Sequence, residues 1–194
     1  FGASWGTTLA LEYYLKGKFK SKIKSIIFQS PMFSAKRWES DANKLIKNLP
    51  KETQKIIRYC HEIDATDSKV YKKAVFNYYI RHVLRNKTKL SRKQKYKNTH
   101  GQNIYEYMWG PSEFKASGTL KHYDKVDKLK LISVPCLFIC GEFDEATPSS
   151  TKYFSKLVKK SKLKIIENAS HSILSERPTV MIKEIKSFLK DFKC

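Results

Sequence analysis

"FGASWGTTLALEYYLK", residues 1–16, is the stretch on which the fold turns. Gly2-Ala3-Ser4-Trp5-Gly6 has the G-x-S-x-G form, which places a serine on a sharp turn between a strand and a helix with its hydroxyl presented at the strand end. Behind it, "TTLALEYYLK" sets Leu9, Leu11, Tyr13, Tyr14 and Leu15 among small residues, a pattern that suits a helix packed under a sheet. Only Phe1 precedes the motif. The strand that should feed Ser4, and the strands before it, are therefore expected to be absent.

Downstream, strands and helices alternate at the two ends of the chain around a helical middle. "KSIIFQSP" from Lys24 reads as a short buried strand ended by Pro31. From about Met32 to Tyr123, "AKRWESDANKLIKNL", "KETQKIIRYCHEI" and "SKVYKKAVFNYYIRHVL" carry apolar residues three or four apart, as amphipathic helices do. The strand signal returns in "SVPCLFICGEFDEATP", which runs into an acidic loop, and in "KLKIIENASHS", which runs into a histidine loop. Helices are expected after each, at about Ser149 to Lys160 and Pro178 to Phe192. Such alternation predicts an α/β fold with a mostly parallel sheet and right-handed crossovers. Three segments follow: residues 1–31, a partial core with the serine turn; 32–125, a helical insertion; and 126–194, the C-terminal part of the core.

Composition narrows the functional classes. A chain of 194 residues with 41% hydrophobic residues has the apolar content of one globular domain with a small insertion, which excludes disorder. No apolar run approaches the roughly 20 residues that span a bilayer, and the start lacks the charged flank and cleavage site of a signal peptide. No membrane partner is expected. Cys60, Cys136, Cys140 and Cys194 are scattered, and Cys136 and Cys140 lie in an apolar run without metal or redox spacing, so they read as reduced thiols and favour a cytoplasmic location. The formal charge of +21 raises the question of nucleic acid. Its lysines are spread, with the densest runs at Lys16 to Lys24, Lys87 to Lys97 and Lys156 to Lys164; arginine is sparse and no nucleic-acid-binding motif is present. A solvated lysine-rich surface is the reading, and nucleic acid is not expected as a partner.

The chemistry sits after the strands. Ser4 follows the first, Asp144 follows "CLFICGEF" and His171 follows "KIIENAS", and in open α/β sheets the active groups collect at such strand ends. A serine hydroxyl is a weak nucleophile until an imidazole takes its proton, and the imidazole needs a carboxylate to fix its tautomer and stabilise its charged form. Gly2 and Gly6 are small where strand and helix close around the nucleophile. The backbone N–H of Trp5 is one expected oxyanion donor. Each of the three residues alone is a weak signal. Their order, each immediately after a buried strand and with a helix behind it, defines a Ser-His-Asp set. His61, His100 and His122 have no carboxylate or cysteine arrangement that indicates a metal, so neither metal nor organic cofactor is expected.

With these residues in place, "FGASWGTTLALEY", the helical insertion, "YMWGPSEFKASGTLKHYD", "VPCLFICGEFDEATP" and "ENASHSILSERP" resemble the proline iminopeptidases (prolyl aminopeptidases). These are α/β-hydrolases with a helical cap domain that remove N-terminal residues, preferably proline, from peptides. The resemblance covers essentially the whole chain, and "WGPSEF" at Trp109 to Phe114 is its most specific element. It implies the α/β-hydrolase fold with an inserted cap, the catalytic set Ser4, Asp144 and His171, and a peptide substrate with a free N-terminus. It also implies that Glu113, in "GPSEF", and Glu145, in "FDEATP", hold the substrate amine. Tyr78, Tyr79, Trp38 and Trp109 are candidates for a proline-ring pocket, although helical spacing favours the cap core. Arg81 and His82 read as structural. Two features depart from the family pattern. Thr7 stands where many members have another glycine, and the upstream strands and glycine-rich oxyanion loop are missing, so the isolated chain is expected to fold poorly and turn over little. Two alternatives stay open: a capped hydrolase of an ester, epoxide or lactone, and an inactive gene remnant.

Overall fold

The computed structural model describes residues 1–86 and 99–191. The Lys87–Lys97 run, Phe192 and Cys194 lie outside the described residues. Four strands, β1 (Gly2–Ala3), β2 (Ile26–Gln29), β3 (Cys136–Gly141) and β4 (Ser161–Ile166), form one sheet in the order β1-β2-β3-β4, with every neighbouring pair parallel. The strand expected to be missing ahead of Ser4 is thus represented by Gly2–Ala3, in register with Phe28 and Gln29. Two residues cannot display a strand period, so only their pairing partner reveals them.

The chain divides into two compact units, Phe1–Ser34 with Asp124–Cys194, and Ala35–Tyr123. In the first unit the sheet is covered on both faces. Alternate residues of β2 and β3 serve opposite sides, as the period of two demands. Ile26, Phe28, Cys136 and Phe138 pack with Leu11 and Tyr14 of helix α1 (Trp5–Lys16) and with Phe154 of a later helix, Pro148–Lys156. Ile27, Leu137 and Ile139 pack instead with Ile173, Met181 and Phe188, carried by two C-terminal helices, Ile173–Glu176 and Pro178–Lys190. Burial on both faces explains why β2 and β3 read as continuous apolar runs. Strand β4 lies at the sheet edge, and Lys162 and Lys164 are exposed on it. Charged side chains of this kind oppose unwanted strand pairing.

Cys136 and Cys140 are wholly buried free thiols, and burial pushes both up to about 12. Since the thiolate is the reactive form, iodoacetamide at neutral pH should leave both unmodified until denaturant is added. Peptide mapping that finds either one alkylated in the native protein would contradict this packing.

The second unit is helical. Taken in chain order after α1, its helices are α2 (Ala35–Ile46), α3 (Lys51–Glu62), α4 (Lys69–His82) and α5 (Thr99–Met108). The helices of the first unit that follow become α6 (Pro148–Lys156), α7 (Ile173–Glu176) and α8 (Pro178–Lys190). Ala42 and Ile46 of α2, Ile57 and Cys60 of α3, and Tyr71, Ala74, Val75 and Tyr78 of α4 close on one another and on Phe114. Buried Gln54 of α3 donates to the carbonyls of Lys47 and Leu49, which satisfies backbone left open beyond the end of α2. Trp38 and Trp109 meet edge to face at 6.2 Å, and Tyr78 meets Phe114 at 4.7 Å. All four aromatic rings are buried. The His82 ring lies tilted against that of Tyr78, 4.9 Å between centroids, and Arg81 donates to the Asn77 carbonyl.

The ends of this helical insertion are paired. Ser34 and Asp124 form an isolated antiparallel bridge, and the Ser34 hydroxyl donates to the Asp124 carboxylate at 2.8 Å.

Candidate active site

Ser4 occupies the turn from β1 into α1 with φ 53° and ψ −126°. An N-cap residue normally has extended backbone and spends its side-chain oxygen on the helix. Ser4 does neither, because its side chain makes no capping bond and its backbone is left-handed. Such strain persists where surrounding structure enforces it, often at functional sites. Here the Ser4 N–H donates to the Gln29 carbonyl at 2.9 Å, and the Ser4 carbonyl accepts from the backbone N–H and hydroxyl of Thr7. A Cβ at Gly2 would lie 2.3 Å from the Gly6 carbonyl oxygen, so the turn closes only with glycine at that position. Gly6 behaves differently. Outside its own helix backbone, a Cβ there meets nothing within 4 Å among the described residues, and the close approach is that of Gly2 to the Gly6 backbone. Trp5 opens α1, where N–H groups find no carbonyl within the helix and the positive end of the helix dipole lies.

Asp144 and His171 are brought together. Asp144 lies in the loop after β3 and His171 in the loop after β4, and these strands are neighbours in the sheet. His171 Nδ1 lies 2.8 Å from Asp144 Oδ1. A carboxylate only accepts, so Nδ1 carries the hydrogen and the neutral imidazole presents a lone pair at Nε2. Asp144 is 1% exposed and takes three further hydrogen bonds, from Ser30 Oγ at 2.6 Å, from the Gly141 N–H at 3.2 Å and from the Ala146 N–H at 2.9 Å. Four donors around one carboxylate offset the cost of burying it. Gly141 lets the histidine loop close onto the end of β3, since a Cβ there would lie 2.4 Å from the Ala169 carbonyl oxygen. Glu176 holds the same loop by accepting from the N–H and hydroxyl of Ser170.

The two glutamates differ in setting. Glu145 is 3% exposed, with Oε1 3.9 Å from His171 Nδ1, and so stands beside the imidazole as a second carboxylate. Glu113 belongs to the helical unit and is half-buried between two buried anchors, Ser112 and Phe114. Burial is the main cause that pushes the Tyr71 phenol up to about 12, with smaller contributions from Cys60 and then from the Glu113 charge. The surrounding turn is held by Trp109 Nε1 donating to the Ser112 carbonyl and by Glu39 accepting the Ala116 N–H. Among the described residues, no group of three or more His, Cys, Asp or Glu is placed to hold a metal ion, and no helix is long and apolar enough to cross a membrane.

Sequence reasoning missed Gln29 and Ser30. In "IIFQSP" they read only as the end of a strand before proline. A hydroxyl-bearing residue at a strand terminus was the one available cue, and its partner lies 114 positions away.

The alpha/beta hydrolase fold family matches residues 1–178, and the chain belongs to that family. A parallel sheet covered by helices on both faces is its architecture here. The proline iminopeptidase of Heyndrickxia coagulans is 40% identical over 190 residues, which are 97% of this chain and 65% of that protein. The crystal structure of VinJ superposes with a TM-score of 0.88 at 27% identity, over 100% of this chain and 65% of that one. The crystal structure of a proline iminopeptidase from Mycobacterium smegmatis superposes with a TM-score of 0.84 at 26% identity, over 98% of this chain and 64% of that one. The chain therefore spans slightly less than two thirds of the length of these relatives.

Proposed function

We propose that the protein represented by this chain is a serine aminopeptidase that releases proline, or a similar residue, from the N-terminus of peptides. The observation that carries this reading is the buried Asp144 carboxylate bonded to His171 Nδ1 in the same sheet whose first strand delivers Ser4 on a strained turn. Similarity to proline iminopeptidases supports the choice of substrate. Ser4 Oγ attacks the carbonyl carbon of the N-terminal residue while His171 Nε2 takes the hydroxyl proton. The Trp5 N–H stabilises the oxygen that becomes negative. His171 then returns the proton to the leaving amine, and a water deprotonated by the same imidazole releases the acyl group from Ser4. Asp144 holds the imidazole in the required tautomer throughout. The scheme uses no metal or organic cofactor. The three buried free cysteines, Cys60, Cys136 and Cys140, support a reducing, cytoplasmic setting.

Glu113 and Glu145 are assigned to the substrate ammonium group. Hydrogen bonds to charged groups contribute about 1.5–3 kcal/mol each. Two of them correspond to a preference of about 10²–10⁴-fold for a free over a blocked amine. Comparing kcat/KM for a proline amide and its N-acetyl derivative tests this. Equal values would remove the role given to both glutamates. A neutral ester cleaved well while the proline amide is left intact would replace the peptidase reading with an esterase one and keep the catalytic set.

A further inference from the structure

The catalytic set proposed above comes from three loops, and one dipeptide touches all three. The Gln29 carbonyl accepts the Ser4 N–H at 2.9 Å, the Gln29 side-chain amide donates to the His171 carbonyl at 3.3 Å, and Ser30 Oγ donates to Asp144 Oδ2 at 2.6 Å. Both residues are buried, Ser30 completely. Ser30 also has φ 50°, a left-handed conformation that a serine adopts at a cost, and its N–H is spent on the Ile139 carbonyl at 2.7 Å. This kink turns the chain out of β2 immediately after Gln29, at the point where the hydroxyl meets Asp144.

We propose that Ser30 is a positioning residue for the catalytic pair: its hydroxyl holds Asp144 Oδ2, which leaves Oδ1 aimed at His171 Nδ1 and sets how strongly the carboxylate attracts the imidazolium. This inference rests on the assignment of Asp144 and His171 to the chemistry. The two carboxylate oxygens divide the work. Oδ2 takes Ser30 and the Gly141 N–H, whereas Oδ1 takes His171 and the Ala146 N–H. Without the hydroxyl, Oδ2 keeps a single 3.2 Å bond to Gly141, so the carboxylate is freer to rotate and is less neutralised by its donors. A less neutralised carboxylate stabilises the charged imidazole more, so the His171 titration moves to higher pH. Among the described residues, the other ionisable groups facing the pair include Glu145, 3.9 Å from Nδ1; Cys140 on β3, neutral because burial pushes its thiol up to about 12; and Glu176, bonded to Ser170 beside the histidine. None of them touches Ser30 Oγ, so a shift caused by its loss comes through Asp144.

The test uses Ser30→Ala and Ser30→Gly in the whole protein. The two variants share the loss of the hydroxyl but differ in backbone, because glycine accepts the left-handed conformation without strain. Two quantities are read: the pH midpoint of the His171 imidazole by NMR, assigned against His171→Gln, and the rate of Ser4 phosphonylation by a neutral organophosphonate. Neither depends on the identity of the substrate. Both variants should raise the midpoint by about half a unit to one unit and slow phosphonylation by roughly 10- to 100-fold. A parental midpoint in Ser30→Gly overturns the proposal, because it leaves Ser30 with a backbone role only. If instead the midpoint shifts in both variants while no proline amide is cleaved by the parent, the positioning role stands and the peptidase reading falls.

Discussion

Replacing Ser4 with alanine should abolish hydrolysis, with kcat falling by roughly 10⁶-fold, while the protein remains folded. The hydroxyl contributes nothing to the N-cap of α1, and the bonds that shape the turn come from backbone at Ser4 and from Thr7. Alanine keeps all of them. Thermal melting should therefore move by little, and a phosphonate probe should fail to label the variant. Measured turnover within tenfold of the parent would assign the nucleophile elsewhere. A large loss of melting temperature would show that the hydroxyl has a structural duty that its geometry does not reveal.

Asp144→Asn should cost about 10⁴-fold in kcat, and for a different reason. The asparagine has the same shape but only one accepting oxygen, whereas Asp144 serves donors on both edges. If the amide oxygen faces Ser30 and Gly141, the NH2 group faces His171 Nδ1 and reverses the tautomer, so that Nε2 carries the hydrogen and cannot take the serine proton. The Ala146 N–H is then left buried without an acceptor, which destabilises the fold by about 1–3 kcal/mol. Denaturant titration alongside single-turnover kinetics separates the two losses. Unchanged turnover would mean that His171 is oriented by Glu145 instead, the other carboxylate near its Nδ1.

Much of the candidate site could be read from sequence because each proposed group marks the end of a strand with a strong local signature. "CLFIC" is buried on both faces and "FGASWG" encodes its own turn, so Asp144 and Ser4 follow from patterns a few residues long. His171 was legible through its order and the helical segments behind it. What could not be read depends on contacts between distant segments. Ser30 has meaning only beside Asp144, and Gln29 only beside Ser4 and His171, pairings that the order of β1, β2, β3 and β4 creates. The two glycines of the motif differ in setting. The crowding is at Gly2, against the Gly6 backbone, while a Cβ on Gly6 itself meets no described atom within 4 Å outside its helix. Glu145 follows only from the family resemblance, as a carboxylate for the substrate amine, and local pattern gives no sign that the fold buries it next to the imidazole.

The pairing of Ser34 with Asp124 bears on how such a protein can change over time. Residues paired across an antiparallel bridge lie roughly 4.5–5.5 Å apart, so the chain leaves the sheet unit and returns to it at nearly the same place. In chain order, Ala35 to Tyr123 is thus a single insertion between Ser34 and Asp124. The register of β2 with β3 is set by residues on either side of the insertion, Ile26–Gln29 and Cys136–Ile139, and by none within it. Ser4, Asp144 and His171 all lie outside the insertion, whereas Glu113 lies within it. Of the two glutamates proposed for the substrate amine, one thus travels with the insertion and the other, Glu145, stays with the sheet.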